Sequence, residues 1–302
     1  MIGKGVLTGI LIGLLFSGCG SKPGGAQETP TSGTIHISVD ESFKPVIDSQ
    51  IKVFNSSFPD AHILVDYRPE AQCFRDLSTD STRMIFVTRG LTPDEETFYK
   101  DSFHLKPTYA VLAYDAIAVI VNPASKDTTF STSDLVNMLN GTDTKHQPVM
   151  DGTSATSTVR YAIDSLLQGK PLGKNVMAAH GSDSVINYVA NNPRAVGFVG
   201  VLWVGNRNDP ADTSFTQVIK VAAVQCKGCD AGKFVKPYQA NIAWQRYPLV
   251  RSLYYILKEN FSGIGNNFEN FLQFERGQLI FSKAYMWPAG MHFEIRDVQT
   301  GQ

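Results

Sequence analysis

Asp151-Gly-Thr-Ser-Ala-Thr-Ser157 places four hydroxyls within one short stretch, directly ahead of a helical pattern over Thr158 to Leu167. A helix leaves its first amides without intrahelical partners and carries partial positive charge at that end. Hydroxyls and free N–H groups converging there can hold an oxyanion, and the same stretch also reads as an N-cap in a polar loop. A second candidate is Cys226-Lys-Gly-Cys229, which has the spacing of a redox pair or half a zinc site. There is no second pair, Cys73 is remote in sequence, and Asp230-Ala-Gly232 continues a loop instead of opening a helix. In an oxidising compartment a small disulfide loop is the expected state. His36, His62, His104, His146, His180 and His292 show no ligand spacing. With no Gly-x-Ser-x-Gly elbow, Walker loop or nucleophile–base pair, neither an enzyme, a metal nor a cofactor is indicated.

The elements that must position the hydroxyl cluster alternate between strand and helix. Thr34 to Val39, His62 to Asp66 and Met84 to Thr88 read as strands, with helical spacing over Pro45 to Phe54 and Ala71 to Leu77 between them. A second set begins at Ala116 to Val121, apolar on both faces as a buried central strand is. Ser133 to Leu139, Thr158 to Leu167 and Ser182 to Ala190 read as helices, and Pro148 to Met150, Ala195 to Val201 and Val218 to Val224 as strands. Val250 to Leu257 is a further strand, and Phe268 to Phe274 with Gly277 to Ala284 a helical pair that packs back on one half. The fold class is α/β, in two halves of similar size.

The N-terminus carries an address. Lys4 precedes an apolar run, Val6 to Phe16, that is too short for a bilayer, which needs ~20 apolar residues. Leu15-Phe16-Ser17-Gly18-Cys19 fits a lipobox, so residues 1–18 read as a lipoprotein signal peptide and Cys19 as the lipidation site; an ordinary secretory signal with a chance cysteine is the alternative. Acyl chains at about 0.8 kcal/mol per buried CH₂ anchor a chain without a membrane-spanning helix. Residues 19–33, rich in Gly, Pro, Ser and Thr, read as a flexible tether. Loss of residues 1–18 removes one lysine, which moves the balance from 27 cations against 28 anions to 26 against 28, net −2. Near-neutral charge argues against nucleic acid and against a polybasic membrane patch.

Tyr114-Asp-Ala-Ile-Ala-Val-Ile-Val-Asn-Pro123, Asp134-Leu-Val-Asn-Met-Leu-Asn-Gly141, Ser154-Ala-Thr156, the Gly181 to Gly200 stretch ending Ala-Val-Gly-Phe-Val-Gly, and Tyr247-Pro-Leu-Val-Arg-Ser-Leu-Tyr254 occur in this order. Together they resemble the phosphate-binding proteins of ABC transporters, from about Thr34 to the C-terminus. The resemblance implies a two-domain, type II periplasmic-binding-protein-like fold with a discontinuous domain 1 (residues 34–112 plus 247–302), a domain 2 (113–246) and a two-strand hinge. It also implies a tetrahedral oxyanion, inorganic phosphate or a relative, held in the cleft by dipoles, and an ABC permease as partner at the periplasmic or outer face of the membrane.

Carried over position by position, the resemblance implies a ligand site of Ser42, Arg83, Thr88, Ser154, Ala155 and Thr156. The departures are marked. Glu41 stands at the expected hydroxyl position beside Ser42, and Arg68-Pro-Glu-Ala71 replaces a Gly-Ser-Gly turn. Arg83 falls at the place of a binding aspartate, Thr88-Arg89 at that of a Ser-Arg pair, and Met150 at that of an arginine. Glu41 or Glu70 in a cleft would repel a dianion, by up to a few kcal/mol for unit charges at ~4 Å and an effective dielectric near 20. Arg83 would compensate if it forked onto the anion. One alternative is that these three charges form surface ion pairs outside the cleft; a separate one, from the joint loss of the cleft's Arg, Asp and Gly-Ser-Gly, is that the fold serves as a ligand-free interaction lipoprotein of the cell envelope.

Overall fold

Ile35, Ile37 and Val39 alternate toward one fully buried face, which makes Gly33–Asp40 (β1) a core strand from its own pattern. The computed structural model describes residues 28–152, 154–206, 208–209 and 214–290. Residues 1–18, read as a signal peptide, Cys19, read as the lipidation site, and the part of the expected tether up to residue 27 lie outside these residues. After β1 come Lys44–Ser57 (α1), Ala61–Arg68 (β2), Glu70–Leu77 (α2), Thr82–Val87 (β3), Pro93–Phe103 (α3) and Thr108–Val121 (β4). Then follow Thr129–Phe130 (β5), Thr132–Asn140 (α4), Gln147–Met150 (β6), Ser157–Tyr161 (α5), Met177–Ala178 (β7), Gly181–Asn191 (α6) and Ala195–Gly200 (β8). Lys220–Val221 (β9), Ala223–Gln225 (β10), Phe234–Val235 (β11) and Gln239–Ala243 (α7) lead to Val250–Leu257 (β12), Ile264–Gln273 (α8), Glu275–Lys283 (α9) and Trp287–Pro288 (β13).

One mixed sheet runs β2-β1-β3-β12-β4-β8-β6-β7, with β9 and β13 also on β4. β1 pairs parallel with β2 and β3, and β6 parallel with β7 and β8, so each end of the sheet is an α/β unit. β4 joins them. Its residues Thr108 to Ala116 pair antiparallel with β12, and Ile117 to Val121 antiparallel with β8. Cores form on either side of that change of partner. Met84 and Phe86 face Phe54 and Phe268 beneath α1 and α8, Ile85 and Val87 face Cys73 and Leu77 of α2, and Ile117–Val121 pack with Leu135, Val149, Val185 and Val199.

Four features differ from the sequence reading. α3 is a full helix, opened by a capping box in which Thr92 and Glu95 satisfy each other's amides, with Pro93 in the first turn. β4 extends eight residues further toward the N-terminus than the apolar run Ala116 to Val121, because β12 supplies a partner there. The strand read over Val218 to Val224 is two short pieces, β9 on β4 and β10 on β5, with Ala222 between them bonding back to Val119. The helix read over Thr158 to Leu167 leaves α geometry at Tyr161 and continues as a π-helical turn, Ala162–Leu166. The end of the presumed tether is also fastened: Gly33 belongs to β1, Thr29 bridges Ser32, and Glu28 pairs with Arg83. Cys226 and Cys229 form a disulfide, and Cys73 is a buried free thiol.

Candidate functional site

In open parallel α/β sheets the carboxyl ends of the strands face the ligand. Here Asp40 ends β1, Arg68 ends β2 with Pro69-Glu70 directly after it, Thr88 follows β3 and Asp151 follows β6. All four places converge on the seam between the two halves. On the first half, Asp40 Oδ1 accepts the Ser42 amide at 2.8 Å, which holds the turn into α1. Ser42 Oγ lies 3.4 Å from Ser157 Oγ of the second half, and both residues are buried. Asp151 organises the second half: its two carboxylate oxygens accept Thr156 Oγ1 at 2.8 Å and Thr158 Oγ1 at 2.9 Å. Thr156 also caps α5 by accepting the Val159 amide.

Two arginines bind the seam together. Arg251 lies opposite Asp115 in the β12–β4 register and donates Nε to its Oδ2 at 2.9 Å, while Nη1 donates to Ser157 Oγ at 2.8 Å and Thr158 Oγ1 at 3.2 Å. Its guanidinium also lies over the Phe43 ring. Arg160 reaches across the cleft. Nε donates to Glu70 Oε2 at 2.6 Å and Nη2 to Thr88 Oγ1 at 2.6 Å and Glu70 Oε1 at 3.3 Å. Glu70 Oε1 additionally accepts the Thr88 amide at 2.7 Å and the Thr88 hydroxyl at 2.6 Å. Beside this group the Ala71 amide donates to the Ala155 carbonyl at 3.0 Å. Ala155 holds φ 70°, a left-handed conformation unusual for a residue with a Cβ, at the one place where its carbonyl crosses the seam.

Burial sets the charges. It pushes the Asp40 carboxyl up to about 7, aided by the Glu70 charge and opposed by Arg251. Burial likewise raises Asp115 and Asp151, against the pull of Arg251 on the first and of the Thr156 hydroxyl on the second. Glu70 goes the other way: although burial opposes its charge, the Arg160 and Thr88 hydrogen bonds hold it below the usual carboxylate range. The seam thus contains Asp40, Glu70, Asp115 and Asp151 against Arg160 and Arg251. Four buried or part-buried acids against two arginines leave the seam without formal net positive charge.

The residues singled out from sequence divide. Ser42, Thr88 and Thr156 are buried at the seam, and Ser154 and Ala155 form its exposed rim. A cavity of about 280 Å³ opens beside them, lined by Glu70, Ala71, Phe74, Arg89, Ser154 and Arg160 among others. Arg83 is not brought to this group. It is the second residue of β3, at that strand's start, whereas Thr88 follows the strand's end, and five positions of strand rise separate the two by ~16 Å. At that opposite end Arg83 donates to both oxygens of Glu28 at 2.9 Å and pairs with Glu259 at 3.3 Å, so it is an ion-paired structural residue. Glu41 is half-buried near Asp151 and His180, and Met150 is fully buried core. Sequence reasoning missed Asp40, Thr158, Arg160 and Arg251, and included Asp151 and Ser157 only as the ends of the hydroxyl-rich stretch, although Arg251 stands within the Tyr247 to Tyr254 block that carried the resemblance. Among the described residues no group of three or more His, Cys, Asp or Glu could hold a metal, and no helix is long and apolar enough to cross a membrane.

Residues 24–275 match the family model of the PBP superfamily domain. The chain belongs to this periplasmic-binding-protein superfamily, with two α/β units on one curled sheet. Among solved structures it is similar to a Clostridium perfringens protein described as a phosphate ABC transporter substrate-binding protein with bound phosphate, at 18% identity and TM-score 0.70, covering 85% of this chain and 100% of that one. An ABC-type phosphate transport receptor from Vibrio cholerae is similar at 19% identity and TM-score 0.63, with coverage of 85% and 100%. PstS from Borrelia burgdorferi follows at 17% and 0.54, with 85% and 99%. At these identities the likeness carries the fold. Comparison with curated proteins gives no match.

Proposed function

We propose that the protein is a lipid-anchored solute-binding protein that captures phosphate, or a related tetrahedral oxyanion, in the seam and delivers it to an ABC permease; it is not an enzyme. The observation that carries this reading is the set of donors, all but Arg160 buried, at the carboxyl ends of the parallel strands, with Ser42 and Thr88 on one half facing Ser157, Thr158 and Arg160 on the other. Donors split between two units joined through β4 and β12 suit a solute that is gripped by closure. The division into residues 34–112 plus 247–302 and 113–246 follows from the same reading. Ser42, Thr88, Ser154, Ala155 and Thr156 are its contact residues, and their hydroxyls and amides stand in for positive charge. The names given to proteins of the same fold point the same way.

Calorimetry on the purified protein tests it. Phosphate releases binding heat, and Ser42→Ala weakens it by roughly tenfold to a hundredfold, the worth of a hydrogen bond to a charged group at ~1.5–3 kcal/mol. No heat with phosphate, sulfate, arsenate or an organophosphate ends the reading. Cys19→Ala moves the protein from the membrane fraction to the soluble one, and retention in the membrane argues against lipidation there. A second reading has its own observation: Glu70 already sits on the donors, as it would in an interaction lipoprotein that takes no solute. That reading gains if neither the parent nor a Glu70 variant binds any anion.

A further inference from the structure

Glu70 is a carboxylate placed where a free anion would be expected. Its two oxygens take the Thr88 amide, the Thr88 hydroxyl and two nitrogens of Arg160, at 2.6 to 3.3 Å. These groups come from both halves: α2 and the end of β3 on one side, α5 on the other. The Glu70 side chain is 3% exposed and that of Arg160 34%, so the acid is enclosed while the arginine keeps one edge in water. The neighbouring Ala71–Ala155 backbone bond closes the same place a second time, at the expense of a left-handed alanine. An ion pair inside one rigid unit would leave the halves free to part. This one cannot be kept if they part.

We propose that Glu70 is a tethered anion that occupies the oxyanion seat formed by Thr88 and Arg160, holds the cleft shut without solute, and must be displaced for a solute to enter. The proposal rests on the solute-binding reading for what displaces Glu70, but not for the latch itself. Binding is then an exchange of an internal carboxylate for an external oxyanion. Whatever stabilises the solute-free state lowers apparent affinity by the same factor. Glu70 therefore sets a threshold: an anion must offer more than one carboxylate does, through extra oxygens that reach Ser42, Ser157 or Thr158. Tetrahedral oxyanions have those oxygens and simple monocarboxylates do not.

Small-angle scattering and calorimetry on the purified protein and two variants test this, with inorganic phosphate as probe. Solute-free parent protein scatters as a closed particle, with the same radius of gyration as in saturating phosphate. Glu70→Ala is larger without phosphate, contracts when it is added, and binds it at least ~10-fold more tightly, about 1.4 kcal/mol. Arg160→Ala keeps Glu70 but removes the partner across the seam, so it too is larger without solute; it covers the case in which Glu70→Ala folds poorly. A parent that contracts on adding phosphate, or variants as compact as the parent without it, overturn the latch. An expanded Glu70→Ala variant that binds no phosphate keeps the latch and ends the phosphate reading instead, while Arg160→Ala, which lacks part of the seat, is read by scattering alone.

Discussion

Arg83 and Arg160 are both arginines held by glutamates, at opposite ends of the same strand, and they do different things. Arg83 stands at the start of β3 and pairs with Glu28 and Glu259, groups that belong to the first half or lead into it. Arg160 meets the other end of β3, beside Thr88, but comes from the second half. The first pair fastens a chain end to a finished unit, and the second couples two units. An ion pair's consequence thus depends less on its geometry than on whether its partners can move apart. Arg251 stands between these cases, since Asp115 lies directly opposite on the adjacent strand while its Nη1 reaches Ser157 in the second half.

The largest expected effect is at Arg251. Arg251→Met leaves Asp115 buried without its cation and should cost about 3–5 kcal/mol, read as a lower urea midpoint; a shift below ~1 kcal/mol would mean that Asp115 is protonated in the native state. Next comes Asp40. Its carboxyl is raised to about 7 in the fold from 3.8, so the folded state holds the proton longer, and its contribution to stability is present below about pH 4 and lost as pH rises through 7. Asp40→Asn should therefore be neutral at low pH and more stable than the parent by on the order of 2–4 kcal/mol at pH 8, with the difference growing between those limits. A constant difference in melting temperature across that range would place the shift elsewhere. The smallest effects sharpen the contrast between the two arginines. Arg83→Ala should lose about 2 kcal/mol and leave phosphate affinity unchanged, whereas Arg160→Ala, a third exposed, should lose under ~1 kcal/mol and yet change the solute-free shape. Equal behaviour of the two variants would remove the distinction.

Much of the fold was legible because burial leaves a period in the sequence. Ile35-x-Ile37-x-Val39 and the unbroken Ala116 to Val121 each became strands where the pattern put them. Elements whose support is remote were not legible. Thr108 to Asp115 is a strand because β12 lies beside it, and its own residues are mixed. Arg83 was misplaced for a directional reason: matching residues to a strand does not say which end of it faces the cleft, and a residue at the start of a strand lies on the far side from the residue after its end. The pairing of Glu70 with Arg160 spans ninety positions and leaves no periodic trace. Thr156 could be singled out because a short polar residue before a helix has a local chemistry that sequence reveals, whereas Ser42 and Thr88 were named only through the resemblance.

The position of β12 between β3 and β4 bears on the order in which the molecule can be assembled. The second half closes its sheet from strands that all lie between β4 and β12 in sequence. In the first half, by contrast, β3 has a neighbour on one side only until the chain has been made as far as Leu257. Up to then β1, β2 and β3 form a three-stranded sheet with an open edge, and α1 lacks the α8 and α9 surfaces that complete its core. Contacts of this sequence separation form slowly, so the half that begins the chain is the half that finishes last.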